Sequence, residues 1–99
     1  SMSAESLQYS NQRIYNLYSK FENMDSYWAP GVKLVLTGDY VNFRTAPSTS
    51  SNVIDSLMSG EEIVPLEGAF EAEGRKWWKA INAQGEVGYV SADFVRVAC

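Results

Sequence analysis

From Val32 to the C-terminus, turn-forming residues cut the chain into short β-rich runs, whereas residues 3–28 repeat their apolar side chains at helical spacing. Ala29-Pro30-Gly31 lies between the two rhythms, and neither a helix nor a strand interior accommodates it well. The pattern predicts a boundary near Pro30. Residues 1–31 are expected to form an N-terminal helical extension and linker, and residues 32–99 a small mainly β sandwich or barrel.

In the second region strands are expected near 32–37, 40–44, 53–58, 62–69, 76–82, 86–91 and 94–97. Turn residues stand between them at Gly38-Asp39, Pro47 to Asn52, Ser59-Gly60, Gly74 and Asn82-Ala83-Gln84-Gly85. The last group has the length of a four-residue hairpin loop. Pro65 has no N–H for a ladder, so it is expected to mark an edge or a bulge.

In the first region Leu7, Ile14, Leu17, Tyr18, Phe21 and Met24 stripe one face of a helix expected over Ala4 to Tyr27. Ser3 is a fitting cap, and Glu5 suits the first turn. Read as heptads, Leu7, Ile14, Phe21 and Trp28 share one position, while Ser10, Leu17 and Met24 follow three residues later. Such a stripe packs either on its own domain or on a second copy or partner helix. At about 1.5 Å per residue the helix exceeds ~30 Å, longer than a small barrel is wide. Ile14 to Met24 are therefore expected to pack on the barrel in cis, with the turns around Leu7 reaching a neighbouring copy or the rest of a parent protein.

Composition narrows the chemistry. Ninety-nine residues make one domain, and 8 Lys plus Arg against 12 Asp plus Glu leave a net charge of −4, which disfavours a nucleic-acid partner. There is no histidine, and the single cysteine is Cys99, so the chain forms no internal disulfide, no Ser-His-Asp or Cys-His nucleophile and no histidine-ligated zinc site. No catalytic residue, metal ligand or cofactor is therefore assigned. No apolar run has the ~18 residues of a membrane span, and no leader of the secretory kind is legible. Ser1-Met2 reads as a tag remnant, so the chain is expected to be a piece of a longer protein.

Three phrases carry a family resemblance. Asn42-Phe43-Arg44-Thr45-Ala46-Pro47 resembles the Asn-x-Arg-x-x-Pro opening of bacterial SH3 domains. Leu57-Met58-Ser59-Gly60-Glu61-Glu62-Ile63-Val64 resembles that family's leucine, glycine, acidic and strand segment. Trp77-Trp78-Lys79-Ala80 with Gly85-Glu86-Val87-Gly88-Tyr89-Val90 is similar to its Trp-x-Lys-Val and Gly-x-x-Gly-Trp-Val pair. The second half is also similar to the eukaryotic SH3 pattern, but Ser91 stands in place of the groove proline and Phe94 in place of the groove tyrosine, and the Ala-Leu-Tyr-Asp-Tyr opening is missing. Those departures argue against polyproline recognition. The resemblance implies an SH3-like small barrel and a non-catalytic binding or targeting module, commonly for cell-wall peptides in the bacterial envelope. The alternative role is structural assembly through the helix.

Along these phrases Trp77, Tyr89, Arg44, Asn42, Tyr40 and Phe94 are the candidate ligand-binding residues. Trp77 and Trp78 are adjacent, so a strand sends them to opposite faces. Trp78 shares parity with Ala80 and suits the interior. Trp77 shares parity with Lys79 and is expected outside, either as a peptide platform or packed under the amphipathic helix. Arg44 offers a bidentate seat for a carboxylate, and equally Asn42 and Arg44 fit the task of holding a tight loop through backbone carbonyls. Glu61, Glu62, Glu67, Glu71 and Glu73 read as a solvated acidic rim, and Gly85-x-x-Gly88 as turn chemistry.

Overall fold

A computed structural model describes residues 28–98. The expected N-terminal helix, apart from Trp28, lies outside the described residues, as does Cys99. The described part is mainly β, consistent with an SH3-like barrel. Its strands are β1 (Lys33–Leu36), β2 (Val41–Arg44), β3 (Val53–Leu57), β4 (Glu62–Pro65), β5 (Phe70–Ala72), β6 (Arg75–Ile81), β7 (Val87–Ser91) and β8 (Val95–Ala98), with a single 3-10 turn at Ala92–Phe94. All seven expected runs contain a strand. No helix among the described residues is long and apolar enough to cross a membrane.

The strands pair antiparallel in the order β3-β2-β7-β6-β4-β1-β8, with β5 added to the free N-terminal half of β6. Alternation along each strand sends Leu34, Leu36, Val41, Phe43, Leu57, Ile63, Trp78, Ala80 and Val90 into one core. Full burial of each larger side chain contributes about 1.5–3 kcal/mol. β6 crosses the middle of this sheet, pairing with β7 from Trp77 to Ile81 and with β4 and β5 on its other side.

Two expectations are corrected at β4 and β5. The run expected over 62–69 stops at Pro65, and Phe70–Ala72 forms a separate strand that returns as a hairpin into β6. Its turn, Glu73-Gly74, has φ of 52° and 74°, the pair of positive values that a two-residue hairpin of this hand needs. Pro65 is neither at an edge nor at a bulge. It ends a strand that lies between β1 and β6, where the β1 ladder has already stopped at Leu34 opposite Ile63, so no bond to β1 is asked of its nitrogen. Its carbonyl accepts the Trp28 indole N–H at 2.9 Å.

The β6–β7 loop contains the expected turn at Asn82-Ala83-Gln84-Gly85, closed by Gly85 N–H donating to the Asn82 carbonyl, but runs one residue longer, through Glu86; buried Asn82 organises it. Asn82 Oδ1 accepts the N–H groups of Gln84 and Glu86, and its Nδ2 donates to Glu86 Oε1 at 3.0 Å and to Asp55 Oδ2 at 3.5 Å. On β3, Asp55 also turns its Oδ1 back to accept the Ser56 N–H at 2.8 Å. The glutamates of the acidic rim are exposed; the pair between Glu62 and Lys33 at 3.4 Å is solvated and contributes little.

Gly88 departs from its expected role. Gly85 has φ of 81° and serves the turn, but Gly88 is a buried strand residue against which the Phe43 ring lies. A Cβ there would stand 2.5 Å from Phe43 Cε2 and 2.9 Å from the Arg44 carbonyl oxygen. Gly88→Ala is therefore expected to destabilise the domain by about 2–3 kcal/mol through overpacking. A thermal melt should show Tm falling by roughly 10 °C or more.

Candidate functional site

Four separated stretches of the chain converge on one open groove of about 280 Å³. The β1–β2 turn brings Asp39 and Tyr40, β2 brings Asn42 and Arg44, and the region of β6 with the 3-10 turn brings Arg75, Trp77, Ser91 and Phe94. Thr49, from the loop after β2, completes the wall. Five of the six candidate residues thus line a single groove. Tyr89 does not line it: it is half-buried between Arg44 and Lys79 in the ladder, its ring set edge-on to Phe70 at 6.1 Å.

Trp77 corrects the expectation of an exposed ring. It is only 2% exposed, against 0% for Trp78. The parity was right and the assumption about what lies outside β6 was not. β5 places Phe70 opposite Trp77, Ala72 accepts the Trp77 indole N–H at 3.0 Å, and the 3-10 turn packs against β6. Trp77 is therefore a fixed floor, and the aromatic area open to a ligand belongs to Tyr40 and Phe94, 77% and 43% exposed.

The walls are held by local hydrogen bonds. Arg44 Nη1 donates to the Ser51 carbonyl at 2.9 Å, so the loop-holding role is real, and the fork of its guanidinium has further N–H groups in a groove it also lines. Ser51 Oγ in turn donates to the carbonyls of Ala46 and Ser48. Ser91 caps the 3-10 turn by accepting the Asp93 N–H, and the Thr37 N–H donates to the Phe94 carbonyl, which fixes the Phe94 backbone beside the β1–β2 turn. Asp39 is committed as well, its Oδ1 accepting the Ser59 N–H at 3.0 Å.

Charge in the groove runs against that of the whole chain. Arg44 and Arg75 line it against Asp39 alone, although the net charge is −4. Arg75 has a carboxylate neighbour in Asp93, at 3.8 Å and solvated on both sides. Sequence reasoning passed over Arg75 as the end of an acidic run, yet it shares strand parity with Trp77, which was the available signal. Among the described residues no group of three or more His, Cys, Asp or Glu side chains is placed to hold a metal ion.

Tyr40 sits at φ of 57°, a left-handed conformation that costs a non-glycine residue about 1–2 kcal/mol. Its N–H points to Met58 Sδ at 3.4 Å while its ring stays in solvent. An exposed aromatic held in a strained turn at the groove edge is a feature of binding surfaces. Tyr40→Gly is expected to stabilise the fold by up to about 1 kcal/mol, since relief of strain outweighs the added freedom of the unfolded chain. Chemical denaturation reads this directly; a loss of stability would mean that the tyrosine ring packs usefully.

The sequence model of the bacterial SH3 domain family matches residues 39–96, more than half of the chain and all of the groove except Gly38. No curated protein and no solved structure matches the chain.

Proposed function

The chain belongs to the bacterial SH3 domain family, and from that premise we propose that it is a binding module whose groove takes an extended peptide bearing a carboxylate. The family implies a binding or targeting role. What supports the finer reading is one juxtaposition: two guanidinium groups, Arg44 and Arg75, share a groove with the exposed rings of Tyr40 and Phe94 and the Trp77 floor. Arginine receives a carboxylate through paired N–H donors, and flat rings supply contact area at small entropic cost. Asn42, exposed on β2 beside Arg44, offers an amide to a peptide backbone.

A cell-wall stem peptide and the C-terminal segment of a protein both carry such a carboxylate, and the groove chemistry suits either. A polyproline ligand suits it less, because Phe94 has no hydroxyl to donate and Ser91 has no ring to stack. The reading is one of binding rather than reaction: the groove's carboxylate, Asp39, is exposed and already accepts the Ser59 N–H.

Titration with a stem-peptide fragment, an acidic C-terminal peptide, its amidated form and a proline-rich peptide, followed by NMR, tests the proposal. Shifts are expected at Tyr40, Phe94 and the Trp77 indole N–H with a carboxylate peptide, and amidation should weaken binding about tenfold, a loss of roughly 1.4 kcal/mol. Phe94→Ala and Arg75→Gln should each raise Kd several-fold with Tm little changed. Equal binding of the amidated peptide, or shifts confined to another surface, would overturn it.

A further inference from the structure

The outer face of the sheet carries an apolar row away from the groove. Val64 on β4 stands opposite Ile81 on β6, and Ile81 opposite Val87 on β7. Val64 and Val87 are 52% and 47% exposed and Ile81 is half-buried, while Leu66, two residues past Val64 and bonded through its N–H to Lys79, is 38% exposed. With neighbouring strands ~4.8 Å apart, the row spans about 10 Å across three strands.

The chain itself arrives beside this face. Trp28 is tied through its indole N–H to the carbonyl of Pro65, the residue between Val64 and Leu66. Immediately before Trp28 the sequence carries Ile14, Leu17, Tyr18, Phe21 and Met24 at spacings of three and four. As a helix, Ile14 to Met24 would be about 15 Å long, enough to cross the row, and Met24 is separated from the anchored Trp28 by Asp25, Ser26 and Tyr27 alone. A tether that short gives the stripe a millimolar effective concentration at the face, which favours it over a separate copy.

We propose that the face made by Val64, Leu66, Ile81 and Val87 is the docking surface for the Ile14–Met24 stripe of this same chain, with the Trp28–Pro65 bond as its fixed end. The stripe then covers the row that the sheet leaves open, and the face is closed to other partners.

The test uses the full chain. Isotope-filtered NOE spectra should show contacts from the Val64, Ile81 and Val87 methyls to the Tyr18 and Phe21 rings, within one molecule and independent of concentration. Val64→Lys, which a bare exposed strand position would tolerate, should lower Tm by about 5 °C or more. Combining it with Phe21→Asp should lower Tm no further than the larger single effect, since both remove one contact. Contacts seen only between differently labelled molecules would overturn the proposal in favour of a second copy. Absence of the contacts, or a Val64→Lys chain melting like the parent, would overturn it in favour of an uncovered face.

Discussion

β6 has to find room for a tryptophan on each of its faces, and the molecule is arranged around that requirement. Trp78 enters the core, where Phe43, Leu57 and Val90 are also buried. Trp77 leaves by the opposite face, and an indole there would be a large apolar surface in water. β5 meets the problem by pairing with the N-terminal half of β6, and the 3-10 turn after β7 meets it from the other side. The groove lies where these covers leave the ring's edge in reach. The groove is a by-product of burying the second tryptophan rather than an addition to a finished barrel.

The close approach of Phe43 to Gly88 follows from the same crowding. With Trp78 filling the interior beneath β6, the ring on β2 reaches its neighbour β7 only where that strand has no side chain. β2 thereby draws Asn42 and Arg44 onto the outer face beside Trp77, and Arg44 pins the loop that carries Thr49. Core and site are coupled through alternate residues of a single short strand.

Much of this was legible in the sequence, for physical reasons that can be named. Strand positions followed from turn residues, and the Arg44 tie to a loop carbonyl followed from a buried carbonyl's need for a donor. Of the candidates chosen on and beside the family phrases, Tyr40, Asn42, Arg44, Trp77 and Phe94 share the groove and Tyr89 does not. What period-two alternation omits is the third dimension. It says that Trp77 faces away from the core but not that a three-residue strand will fold back over it, because Phe70–Ala72 is too short to show a rhythm of its own. Gly88 was misread for a similar reason: a glycine needed for closeness and a glycine needed for a turn are the same letter, and only the Phe43 ring distinguishes them. Arg75 was hidden by its acidic neighbours in sequence, Glu71 and Glu73, neither of which lines the groove.

The sheet ends at β3 and β8, and an uncovered strand end-row is a template on which foreign chains can stack. On β3 the Ser56 amide is already taken by the carboxylate of the residue before it. That short loop of a side chain onto its own backbone leaves a negative charge and an occupied donor on the end strand, where a stacking chain would need an open one. The same half-buried carboxylate also accepts from Asn82 Nδ2 at 3.5 Å, so one side chain serves both the end strand and the β6–β7 loop.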